Sequence, residues 1–155
     1  MKHAQSNKNY LLSCLLFCSA CLLGLPSLAS AAGVNCSASG INCLSGGIGT
    51  PEREELRQQT GQYSLWISTV AKKTGAYLSD TKITVRDSKS RQTVFTTSMD
   101  GPWLFLGLPV AQYEIEAIFH EKTRNSDLQF KKIVNIKKGD HQQMIIYFDV
   151  PNTAE

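Results

Sequence analysis

From Gln62 onward, apolar residues recur at every second position in short runs, and each run ends in a turn-forming cluster. A period of two is the spacing of one strand face, so the pattern demands β-structure with one side of each strand turned inward. Tyr63, Leu65 and Ile67 alternate with Ser64, Trp66 and Ser68, and Ile83 and Val85 sit between Lys82, Thr84 and Arg86. Further runs follow over Gln92–Thr97, Trp103–Phe105, Tyr113–Phe119, Leu128–Ile136 and Gln142–Phe148. Lys72-Lys73-Thr74-Gly75, Asp87-Ser88-Lys89-Ser90, Asp100-Gly101-Pro102, Leu108-Pro109, residues 121–127 and Lys137-Lys138-Gly139-Asp140 punctuate them. No helical stretch between these runs is long enough to cross over a parallel sheet. The sequence therefore predicts an all-β fold, a seven-stranded antiparallel Greek-key sandwich over residues 62–150, with 151–155 as a C-terminal tail.

Residues 32–61 read as a leader. Residues 32–49 hold five glycines and several serines without hydrophobic period. Gly46-Gly47-Ile48-Gly49 lacks the Gly-Lys-Ser/Thr ending of a phosphate loop, so close backbone approach is the simpler reading. Thr50-Pro51-Glu52 marks the start of a short helix, with Thr50 as the cap and Pro51 in the first turn. Leu56 is the helix's only large apolar residue, so it needs tertiary contact to persist.

Ahead of the leader, Lys2 and Lys8 precede an apolar run from Leu11 to Leu25, which ends in Leu28-Ala29-Ser30-Ala31. These are the parts of a cleavable secretory signal, residues 1–31, with cleavage after Ala31. A membrane anchor is the rival reading, and so is lipidation at Cys14 or Cys21. Cleavage removes Lys2 and Lys8 from 16 basic residues, leaving 14 against 13 acidic ones, a net charge of +1. Nothing in that balance calls for a nucleic-acid surface, and no stable membrane span is expected after cleavage. Of five cysteines, only Cys36 and Cys43 remain. In an exported chain such a pair points to a disulfide, which restricts the unfolded chain by about 2–3 kcal/mol. A metal pair lacks neighbouring ligands, and a redox pair lacks the Cys-x-x-Cys spacing.

Catalytic patterns are scarce. The mature chain has His120 and His141, each at a strand end, and no Gly-x-Ser-x-Gly elbow. Glu114 and Glu116 share a strand face, Asp87 and Asp100 occupy turns, and no calcium-loop spacing is present. Neither a catalytic residue, a metal nor a cofactor is expected. The binding signal is aromatic and basic. Trp66 and Trp103, with Tyr77 from the 76–80 loop and Lys122 and Arg124 from the 121–127 loop, form the candidate surface. The competing reading buries both tryptophans.

From Gly75 to Phe148 the chain resembles the carboxypeptidase regulatory-like domains, a branch of the transthyretin-like sandwiches. Ile83-Thr84-Val85, Thr97-Ser98-Met99-Asp100-Gly101, Phe105 with Leu108-Pro109, and Tyr113-Glu114-Ile115 carry the resemblance. Ala111 departs from it, standing near where that family has glycine before the tyrosine. The resemblance implies a transthyretin-like sandwich, with an immunoglobulin-like one as the alternative, and brings no active site. Gly46-Gly47-Ile48-Gly49 and the Glu/Arg-rich stretch after it resemble small bacterial envelope proteins, which implies a periplasmic or secreted home. The expected function is a non-enzymatic periplasmic protein-interaction module with an unidentified envelope partner. The alternative is a carbohydrate-binding module for cell-envelope glycans.

Overall fold

A computed structural model describes residues 33–151; the signal segment, its cleavage point and the lipidation cysteines lie outside the described residues. The chain runs β1 (Val34–Asn35), β2 (Asn42–Gly46), α1 (Gly49–Gln58), a 3₁₀ turn (Thr60–Gln62), β3 (Leu65–Ala71), β4 (Lys82–Asp87), β5 (Thr93–Ser98), β6 (Trp103–Gly107), β7 (Ala111–Glu121), β8 (Ser126–Ile136) and β9 (Gln142–Phe148). Two sheets result, ordered β1-β2-β6-β3-β9 and β5-β4-β7-β8. Leu65, Ile67, Leu104, Leu106, Met144 and Ile146 of the first sheet share one core with Ile83, Val85, Ile115 and Ile136 of the second.

The seven expected runs correspond to β3 through β9, but the described residues form nine strands. The leader supplies the other two. Cys36 and Cys43 form a disulfide, with Cα atoms 4.9 Å apart, across the β1–β2 hairpin. β2 then pairs along β6, from Asn42 opposite Gly107 to Gly46 opposite Trp103. The expectation of an irregular leader is thus corrected over 42–46, and the reason is physical. Cys43 faces the inter-sheet core while Leu44 faces outward into a second apolar cluster, so no alternation of apolar and polar residues survives.

That second cluster is made by α1. Leu56, fully buried, sits with Leu44, Trp103 and Phe105 on the outer face of the five-stranded sheet, flanked by Tyr63 and Trp66. The helix begins two residues earlier than expected. Its N-cap is Ile48 rather than Thr50, and the Glu52 carboxylate, one turn into the helix, accepts the Ile48 amide at 2.7 Å. The Thr50 hydroxyl instead accepts from Arg53.

The expectation of wholly antiparallel pairing is also corrected. β9 joins β3 in parallel, from Leu65 opposite Gln142 to Ala71 opposite Phe148. No crossover helix is required, because the intervening strands of the second sheet are themselves the crossover. Ala111 opens β7 opposite Ile136, as an ordinary strand residue. Tyr113 packs inward and its hydroxyl donates to the Pro109 carbonyl at 3.1 Å, which ties the Leu108-Pro109 corner to the strand.

The outer face of the second sheet is polar and laced with ion pairs. Arg86 bonds Glu116 and lies 3.8 Å from Glu114; Lys131 approaches Glu116 at 3.0 Å and Arg91 approaches Glu114 at 3.1 Å. The Arg86 guanidinium, then the Lys131 ammonium, hold the Glu116 carboxyl down at about 2, against an ordinary 4.5. A folded-state value below the unfolded one stabilises the fold above pH 4.5 and loses that contribution as pH falls toward 2. Glu116→Gln is therefore expected to cost about 1 kcal/mol near neutrality, after solvent screening of the pairs. Thermal unfolding of both proteins between pH 7 and 2 checks this: the gap between them should close as pH falls.

Candidate functional site

The segment between β3 and β4 is pinned rather than loose. The amide of Ala71 donates to the Ala76 carbonyl, that of Leu78 to Thr69 and that of Asp80 to Met99, while the Thr69 hydroxyl donates to the Leu78 carbonyl. Gly75 takes a φ of 72° and Asp80 one of 57°, where glycine and aspartate are the tolerated residues. Tyr77 is thereby bridged to Val70 and stands on the outer side of the sheet with half its surface exposed.

Beneath it lies Trp103, only 2% exposed, with its ring edge-on to Tyr77 at 6.3 Å between centroids. Beside it the Arg53 guanidinium sits 5.4 Å from the Tyr77 ring centre and donates to the Gly47 carbonyl at 3.0 Å. The glycines preceding α1 are explained by close approach. A Cβ on Gly47 would stand 3.0 Å from the Trp103 ring, and one on Gly101 would run into the Gly46 backbone. Of the tetrad, Gly47 is the residue pressed against the indole, while Gly46 lies against Glu52 and the Gly33 backbone.

Two shallow depressions meet at Tyr77 and Ser79. One, about 280 Å³, lies toward Ile48, Arg53 and Pro102. The other, about 300 Å³, lies toward Phe119, His120 and Lys122 of the β7–β8 hairpin and is also lined by Val150. Both are open hollows at the small end of ligand-site volumes, suited to a side chain or a single ring.

Glu121, His120, Arg124 and Asp127 along the hairpin are already engaged. Desolvation pushes the Glu121 carboxyl up, but the Arg124 and Thr123 amides and the Arg124 guanidinium outweigh it and hold the group at about 2. His120 Nδ1 lies 2.8 Å from Asp127. Among the described residues no group of three or more His, Cys, Asp or Glu is placed to hold a metal. Among them, too, no helix is long and apolar enough to cross a membrane.

The structure brings the 76–80 loop and the start of the 121–127 loop to one surface, with Tyr77 at its centre and Lys122 in its wall. Trp103 supports that surface from below and does not present itself at it. Trp66 is half-buried under α1, stacked on Phe105 at 5.4 Å and edge-on to Trp103 at 4.8 Å. Arg124 is a latch: it grips Glu121 and donates to the Asp149 carbonyl at 3.1 Å. Ser79 lies in the expected 76–80 loop, whereas Ile48 and Arg53 escaped the sequence reading. Only Ile48 carried a signal, an isolated apolar residue among glycines, and it is 65% exposed. No family model, curated protein or solved structure matches the chain.

Proposed function

We propose that this chain is a non-enzymatic binding module of the bacterial envelope, exported by its N-terminal segment, which docks a protein partner at the Tyr77 groove. The observation that carries this reading is Tyr77 itself. It is a half-exposed aromatic on a buried indole, held by Arg53 and a hydrogen-bonded loop, with a hollow on either side. A rigid aromatic anchor loses little entropy on binding, which is the property of an interface hot spot. The commitment of Glu121 and His120 to the hairpin supports a binding role over an acid–base one.

The strand arrangement supports a transthyretin-like Greek-key reading over the immunoglobulin-like alternative. An immunoglobulin constant-type domain groups its third, sixth and seventh strands. Within the seven-strand unit here, the first, fourth and seventh strands (β3, β6 and β9) share a sheet. The glycan reading loses support from the burial of Trp103, since its sugar platform relied on exposed tryptophan.

A photo-reactive amino acid placed at Ser79 in the full chain, irradiated in intact cells, tests the groove. A discrete protein adduct is expected, and Tyr77→Ala should reduce it at least tenfold without lowering the melting temperature. Glycan adducts would favour the carbohydrate reading. An adduct pattern identical to that of a probe at Gln92, on the far sheet, would overturn the assignment.

A further inference from the structure

β9 is an edge strand, and no charged residue or proline guards it. Its ladder to β3 is bonded through the Gln142 amide, which donates to Ser64, and the Phe148 carbonyl, which accepts from Lys72. Even-numbered residues thus face β3, and the amides and carbonyls of Gln143, Ile145 and Tyr147 face away from it. Among the described residues no strand pairs with that side. The same three residues turn their side chains to the outer face, where Ile145 is 43% and Tyr147 55% exposed. Edge strands are ordinarily blunted by lysine, proline or other charge. Residues 142–148 contain none of these; of the opposite sheet's two edges, the longer, β8, carries Asp127, Lys131 and Lys132, while the shorter, β5, is set off by a register irregularity against β4.

We propose that β9 pairs with β9 of a second copy, antiparallel about a two-fold axis at Ile145, joining two five-stranded sheets into one. The strand's own sequence argues for this occupant. With Ile145 on the axis, the three outward-facing residues exchange every free amide and carbonyl: Ile145 with its counterpart, and Gln143 with the partner's Tyr147. No like charges meet within the strand, and just beyond it His141 falls opposite the partner's Asp149. Asp149 is exposed, 3.5 Å from Lys73, and His141 uses only Nδ1 within its own chain, toward the Tyr63 carbonyl. On β8 the equivalent pairing would crowd lysines together. A two-fold contact has to be self-complementary, and β9 meets that condition. The strip is small, so association should be weak, with half the protein dimeric at roughly 10–100 μM.

Sedimentation equilibrium on protein purified from cells expressing the full chain tests the contact. A monomer–dimer equilibrium is expected for the natural sequence, and a monomer with unchanged melting temperature for Ile145→Lys, which places two ammonium groups across the axis. Ile145→Glu should likewise be monomeric, yet an equimolar mixture of the two variants should dimerise, because only the Ile145-centred register sets lysine against glutamate. A natural protein that stays monomeric up to about 1 mM, far above that range, overturns the proposal. A dimer that survives Ile145→Lys, or a mixture that stays monomeric, overturns the register. Tyr77→Ala should leave the dimer intact, which separates this contact from the groove.

Discussion

Ile115→Asp is expected to abolish cooperative folding. Ile115 is fully buried in the middle of β7, between Val85 of β4 and Lys132 of β8, and its side chain faces the first sheet. Truncating a buried isoleucine alone costs about 2–5 kcal/mol. A carboxylate in the same place is worse, because an unpaired charge in the inter-sheet core carries a penalty of several kcal/mol more. Together these approach the whole stability of an ordinary domain, about 5–15 kcal/mol. Circular dichroism during heating should show no sigmoidal transition for Ile115→Asp. Ile115→Val should unfold cooperatively with a loss of about 0.5–1.5 kcal/mol. A transition in Ile115→Asp within a few degrees of the natural protein would mean that this face of β7 is not in the core.

Trp103→Ala is expected to be nearly as damaging. The indole fills the space between α1 and the outer sheet face, against Trp66, Phe105 and Tyr77, with the Arg57 guanidinium 5.5 Å above its ring. Removing it should cost about 3–5 kcal/mol. For a domain of this size that is a fall of roughly 10–20 °C in melting temperature. The second consequence is functional. Tyr77 loses the ring it stands against, and Gly47 loses the surface it is pressed onto. Partner capture at the groove should fall with Trp103→Ala even at temperatures where the protein is still folded. Calorimetry and the Ser79 cross-link together check both parts. Full capture by a folded Trp103→Ala protein would show that the anchor does not depend on its support.

The second sheet was almost completely legible in the sequence, and the first only partly so. β8 alternates because one of its faces meets water, and Val134 and Ile136 stand out against Lys131 and Asn135. β2 does not alternate, because the interior on one side and α1 on the other both exclude solvent. The same burial hid the role of Trp103. An aromatic just after a turn is open both to a surface anchor and to a buried sandwich end, and only the placement of the helix that covers it decides for burial. The helix itself was visible from Pro51 and Leu56, but nothing local says which sheet face Leu56 will meet. Tyr77 and Lys122 lie 45 positions apart in the chain and become neighbours only through the order β4-β7-β8. That order depends on long-range pairing, which period and turn signals do not encode.

The parallel union of β3 and β9 also sets the order in which the molecule can be finished. β3 comes before every strand of the second sheet and β9 is the last of the described strands, so β3 waits for residues 142–148 to complete its pairing. Until Met144, Ile146 and Phe148 arrive, the inner faces of Leu65 and Ile67 have no neighbour on that side. Contacts between such distant segments make for slow folding, on the millisecond-to-second scale rather than microseconds. A chain of this design keeps that side of its core open until β9 has paired. Loss of even its last strand would leave the core unfinished rather than trimmed.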